Sequence, residues 1–116
     1  MAIDDSEERV LAVARNPAKL AAFAMNDGSV IAQTDTCQDA DDVFLDARRH
    51  RVYVSCGEGY IDVFARHGAG YERVAHIATV AGARTSLFSP ELDRLYLAVR
   101  ATFGEPASIW VFRPTP

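Results

Sequence analysis

Short apolar runs alternate with tight polar turns along most of the chain, and the alternation repeats. In DDVFLDARRHRVYVSCGEGYIDVF (residues 41–64), three runs rich in Val, Phe, Tyr and Ile are separated by ARRH and by Gly57, Glu58 and Gly59. Apolar β-branched and aromatic runs bounded by turn residues predict three β-strands. The pattern returns as TSLFSPELDRLYLAV followed by SIWVF: Leu87 stands 43 residues after Phe44, Arg94 43 after Arg51, and Tyr96 43 after Tyr53. RVYVS and RLYLAV carry apolar side chains on both faces and not on alternate ones, which predicts strands covered on both sides.

A self-similar period of about 40 to 45 residues with four short strands per unit is that of propeller blades, whereas helical repeats run at about 33 or 34. The predicted fold class is all-β, built of β-propeller-type blades that are four-stranded antiparallel meanders. Earlier in the chain two readings compete. Local propensity allows helices, one capped by Ser6 and one opened by Asn16 and Pro17. The repeat favours strands, because Arg9 and Val10 fall 42 residues before Arg51 and Val52, and Phe23 falls 41 before Phe64. Residues 1–8, rich in Asp and Glu, read as a solvated acidic tail. SVIAQTDT has its copy in YERVAHIAT, with Thr79 43 residues after Thr36. The organisation expected is a blade remnant over 9–36, a full blade over 42–79 and an incomplete blade over 85–113, ten strands and about two and a half blades in all. A propeller removes its sheet edges by closing a ring of typically 4 to 8 blades. Two open ends therefore predict a homo-oligomer, most simply a dimer.

Composition narrows the partners more than the activity. At 116 residues and 49 % hydrophobic content, the chain has enough apolar material for one modest core. No apolar run reaches the roughly 18 to 20 residues of a membrane helix, and the acidic N-terminus is unlike a secretory signal, so the expectation is a soluble chain, cytoplasmic on this ground alone. A net charge of −4 predicts no grip on nucleic acid or anionic lipid. Cys37 and Cys56, 19 residues apart, show neither CxxC spacing nor the density of a disulfide scaffold, and read as buried inert thiols.

The runs DADDVFLDARRHRVYVSCGEGYIDVF and GARTSLFSPELDRLYLAV resemble the YVTN-repeat, or YncE-like, bacterial β-propellers, whose blades carry an R-x-Y-V-[AS] strand, a glycine turn and a V-x-V-[FI]-D-like strand. The resemblance spans about residues 9–113. It implies relatives that form seven-bladed and often exported rings, with lactonase-like and quinoprotein-like members in the wider group. It implies little about activity, because fold alone does not carry function.

Candidate chemistry lies where a strand would enter the inner face of a blade. Asp35, Asp39, Asp41, Asp42 and Asp46 place five carboxylates in twelve residues with no Lys or Arg among them. Crowded carboxylates repel, and a hard cation such as Ca²⁺ or Mg²⁺, held by Asp39 and Asp41, would relieve the repulsion; the plain alternative is a solvated acidic loop. Arg84 and Thr85 take the equivalent places in the following blade. The channel rim of Asp39, Asp41, Asp42, Arg84 and Thr85 is therefore the candidate ligand site, with an Asp–Arg bridge between blades as the competing reading. Glu58 and Asp62 suggest an acid/base pair on paper, but Asp62 sits in an apolar strand where bonding to backbone is the commoner role. His50, His67 and His76 have no nucleophile at triad spacing. Trp110, Tyr53, Tyr96, Phe64 and Phe112 recur at equivalent positions and read as core. The expected function is a non-catalytic propeller-type binding or scaffold module for a small-molecule or other ligand. The alternative is a metal-assisted, lactonase-like hydrolase using the rim carboxylates.

Overall fold

A computed structural model describes residues 1–116 as eleven strands and no helix. They are β1 (Ala2–Asp4), β2 (Arg9–Arg15), β3 (Ala18–Ala24), β4 (Val30–Asp35), β5 (Ala40–Asp46), β6 (Arg51–Cys56), β7 (Tyr60–His67), β8 (Gly70–Ala78), β9 (Ser86–Ser89), β10 (Arg94–Val99) and β11 (Ser108–Phe112). Three separate antiparallel sheets result, β1–β4, β5–β8 and β9–β11, each running in chain order. The alanine-rich segments are strands, as the repeat predicted: Leu11, Leu20 and Ala22 are fully buried, and packing against the second sheet outweighs their helical propensity.

The second sheet is the middle layer. Val52, Val54, Cys56 and Phe64 point to the first sheet, while Tyr53, Ile61 and Val63 point to the third and meet Phe88, Leu95 and Leu97. A strand enclosed on both faces has no solvent-facing side to show, which accounts for the apolar residues on both faces of β6 and β7, with Ser55 and Asp62 as buried polar exceptions.

One turn design recurs between the first two strands of every sheet. Glu8, His50 and Asp93 each adopt φ near +55°. Four residues before each stands an oxygen-bearing side chain that accepts the backbone N–H three residues on: Asp4 from Glu7 at 3.3 Å, Asp46 from Arg49 at 3.3 Å, and Ser89 from Leu92 at 3.3 Å. This corrects the expectation of a solvated tail at 1–8. Ala2–Asp4 pairs with Arg9–Leu11 as β1, and Asp4 is buried because its carboxylate caps the turn. The count is therefore eleven strands and not ten.

The cysteines also depart from expectation, since Cys37 and Cys56 form a disulfide. Ala40 pairs with Cys56 across β5 and β6, and the loop entering β5 folds back over that pair, bringing Cys37 alongside. Spacing along the sequence did not show this because the contact is made by sheet pairing.

Candidate functional site

The acidic stretch does not converge on a point. Each of its five carboxylates meets a different donor, and most of the donors come from other segments. Lys19 on β3 pairs with Asp35 and holds that carboxyl below its usual range through its hydrogen bond. Arg15, at the end of β2, pairs with Asp41 and stands 3.5 Å from Asp39. On the opposite side, Arg84 from the loop before β9 reaches Asp39 at 2.7 Å. The Asp42 carboxylate accepts the Ser86 N–H at 2.9 Å. Asp46, on the far end of β5, is buried under Tyr53 Oη at 2.6 Å and Arg49 at 2.9 Å.

Asp39, Asp41, Asp42 and Arg84 thus form a charged ladder running from the first sheet through the second to the third. Thr85 is exposed and makes no bond to the ladder; its backbone carbonyl accepts the Ala98 N–H of β10 at 2.9 Å. Position supports the ladder. Asp39 adopts φ 57° in the loop before β5, where its carboxylate fills the space above Gly57. A methyl group on Gly57 would overlap that carboxylate and come within 2.9 Å of Arg84 Nε. Arg15, Gly57 and Arg100 are equivalent positions of the repeat, 42 and 43 residues apart. No three His, Cys, Asp or Glu side chains stand close enough together to hold a metal ion.

At the other end of the sheets a second network ties the middle sheet to the third. Arg49 makes a two-pronged contact to Asp93 at 2.7 and 2.8 Å while also bonding Asp46. Hydrogen bonds from Arg49 lower the Asp93 carboxyl to about 2, and the same bonds raise the Arg49 pKa. Burial, with the hydrogen bond to Asp46, raises the Tyr53 phenol.

Asp62 is fully buried and accepts four bonds: from Cys37 N at 2.9 Å, Thr36 Oγ1 at 3.1 Å, Arg73 at 3.3 Å, and His76. It ties the loop between the first two sheets to β7 and β8, and His76 stacks on Tyr60 with ring centroids 3.9 Å apart. Glu58 is engaged elsewhere, accepting Gln38 N at 2.8 Å. Neither His50 nor His67 takes part in a polar cluster with a nucleophile; His67 only approaches Glu72, at 3.9 Å on the surface.

Sequence reasoning missed the arginines Arg9, Arg15, Arg49 and Arg51. The signal was present, because Arg9, Arg51 and Arg94 share one place in the repeat. Arg9 crosses from the first sheet to Ala69 O of the second at 2.9 Å, and Arg51 crosses from the second to Thr115 O beyond the third at 2.7 Å. Arg94 has no further sheet to reach and folds onto Leu92 O and Asp93 O of its own turn.

The third sheet leaves one face bare. Leu87, Tyr96 and Val111 align across it in register, as do Ala98 and Ile109. Leu87, Ile109 and Val111 are about 60 % exposed, whereas Tyr53, Ser55, Ile61 and Val63, which hold the same places in the second sheet, are under 10 % exposed beneath the third. No protein-family model matches the sequence, and no curated protein matches it closely enough to count as a relative.

Proposed function

We propose that the chain is a non-catalytic binding or scaffold module built of β-propeller-type blades, whose stack is extended by self-association. The observation that carries this is the bare face of the third sheet. Leu87, Tyr96, Ala98, Ile109 and Val111 repeat, position by position, the surface Phe44, Tyr53, Ser55, Ile61 and Val63 on which the third blade itself is seated. A patch of this kind is an interaction site in waiting.

The first blade supplies the matching surface. Ile3, Val10, Phe23 and Val30 line up across its outward face, with Ile3 and Val30 about 60 % exposed. Face to opposite face is a head-to-tail contact, which closes into a ring or runs on as a stack according to the rotation between copies. Arg94 then finds the backbone of a neighbouring copy's outer hairpin, near Asp27, as Arg9 and Arg51 do within the chain.

The ladder of Arg15, Asp39, Asp41 and Arg84 serves in this reading as the cross-tie between blades. The hydrolase alternative requires carboxylates free to meet a metal, and each rim carboxylate is already engaged by a cation or a backbone N–H. Sedimentation of the chain at roughly 100 μM tests the proposal, a concentration at which a micromolar contact is mostly formed. The expected species is a dimer or larger, reduced to monomer by Ile109→Glu with Val111→Lys. A monomeric parent chain at that concentration overturns it.

A further inference from the structure

The loop that enters β5 is fastened in a way that its repeat equivalent, the loop that enters β9, is not. Cys37 and Cys56 are joined, and 43 residues on the same two places hold Val80 and Val99. Val99 is 8 % exposed and belongs with Val80 to the core shared by the second and third sheets, so two apolar side chains are enough to close that corner. The covalent bond therefore answers to something that the second sheet has and the third lacks.

The difference lies just past Cys37 and Val80. Asp39 follows in the second sheet and Gly82 in the third, both at positive φ, 57° and 88°. Glycine takes up that conformation freely, whereas a residue with a Cβ is held in it at a cost. Glu8, His50 and Asp93 share it, but each sits in a turn closed by the two paired strands it joins. Asp39 lies in the connection between two sheets. Backbone bonds repeat the contrast: Gly57 N donates to Asp39 O at 2.8 Å and Glu58 N to Gln38 O at 3.2 Å, whereas Arg100 and Ala101, the equivalent donors, make no such bonds to Gly82 and Ala81. Asp39 carries the cross-tie to Arg15 at 3.5 Å and Arg84 at 2.7 Å, and its carboxylate lies above Gly57, the neighbour of Cys56. Gly82 has no side chain with which to make a tie.

We propose that the Cys37–Cys56 disulfide is a redox-sensitive latch on the cross-tie between blades. Oxidised, it holds the loop so that the Asp39 carboxylate stays between Arg15 and Arg84. Reduced, the corner stays packed, as it is at Val80 and Val99, and the loop comes loose with its tie. Reduction is a two-electron exchange: a thiolate of a dithiol attacks one sulfur, and the second thiol resolves the mixed disulfide so formed. Cys37 and Cys56 are left as thiols and the reductant becomes a disulfide. The two cysteines are only 3 % and 0 % exposed, so a thiolate reaches a sulfur when the loop opens, and the latch changes state together with the contact it controls.

The test compares the oxidised full chain with the same chain in dithiothreitol and with Cys37→Val/Cys56→Val, which copies the third sheet. Circular dichroism should show the β-structure retained in all three. On reduction, hydrogen exchange at the Gly57 and Glu58 amides should speed up at least about tenfold more than at amides in the middle of β6 and β7. The valine variant should match the reduced chain, and the dithiothreitol arm, which carries no substitution, decides should that variant not fold. Asp39→Gly supplies the residue that needs no tether, so reduction should lower its urea midpoint less than that of the parent chain. Equal acceleration of exchange throughout the second sheet overturns the proposal, as does an equal loss on reduction with Asp39 and with glycine. A chain that unfolds outright when reduced also overturns it, since the bond would then hold the fold and not the tie.

Discussion

The Asp39 carboxylate lies 2.7 Å from the Arg84 guanidinium, and Gly57 beneath them is what leaves room for the pair. Both partners are partly exposed, so the ion pair by itself contributes little, on the order of 0–1 kcal/mol. The packing is the larger effect. A methyl group at position 57 must push the carboxylate away, and we expect Gly57→Ala to destabilise by about 1–3 kcal/mol, as overpacking does. Asp39→Gly suits the φ of 57° there and removes the obstruction. The double variant should therefore lose less than the sum of the single ones, measured by urea denaturation of all four chains. Additive losses would show that the carboxylate is not what Gly57 accommodates.

Acid should expose the second cross-tie. The Asp93 carboxyl is lowered to about 2 from 3.8, chiefly by its hydrogen bonds from Arg49. A folded-state pKa below the unfolded value means that the unfolded chain takes up the proton first. The contribution of Asp93 is therefore complete above about pH 4 and is lost as pH falls toward 2. Thermal midpoints measured from pH 6 down to 2 should fall less steeply below pH 4 in Asp93→Asn than in the parent chain. Parallel curves would mean that the Arg49 bridge does not persist in solution.

The strands were legible where hydrophobicity alone decides. Apolar residues on both faces of RVYVSC and RLYLAV announced a layered stack, and the period of 42 to 43 residues placed the turns. Asp4 was misread because an acidic run at a terminus looks solvated, whereas this carboxylate is buried by capping its own turn. The rim was located by its crowding of carboxylates, and of the two readings offered for it the Asp–Arg bridge is the one the Asp39–Arg84 pair fits; the second arginine, Arg15, was not foreseen. Arg15, which neutralises Asp41, lies on the preceding sheet and becomes its neighbour only when the sheets stack, while Lys19 meets Asp35 through the pairing of β3 with β4. Cys37 and Cys56 were misread because the pairing of β5 with β6, and not their spacing in sequence, brings them together.

Reduction should reveal what that disulfide contributes. Closing a loop of 19 residues in the unfolded chain is worth about 3 kcal/mol in the chain-entropy account. Both sulfurs are buried in the core shared by the first two sheets, so replacement also costs packing. We expect Cys37→Ser/Cys56→Ser to lower the unfolding free energy by about that amount or more. Oxidised chain unfolded without reductant should take up no thiol-alkylating reagent, and prior reduction should allow two additions per chain. Two additions without reduction would show that the bond does not form.

The three equivalent arginines make a graded prediction. Arg9 is 7 % exposed, donates to Ala69 O at 2.9 Å and Tyr71 Oη at 3.3 Å, and lies over the Tyr71 ring at 5.9 Å. Charged hydrogen bonds of this kind are worth about 1.5–3 kcal/mol, and Arg9→Ala should cost about 2. Arg51 makes its bonds to Thr115 O and Pro116 O at the surface, and Arg51→Ala should cost no more than about 1 kcal/mol. Arg94 reaches only carbonyls of its own turn, so Arg94→Ala should stay within about 0.5 kcal/mol in dilute solution, where the chain is alone. At high concentration the order should change. If Arg94 meets the outer hairpin of a neighbouring copy, Arg94→Ala weakens association while Arg9→Ala does not, and sedimentation separates the two. An Arg94→Ala chain that is destabilised as much as Arg9→Ala when dilute, yet associates like the parent, would mean that the repeat equivalence does not extend to the third sheet's free face.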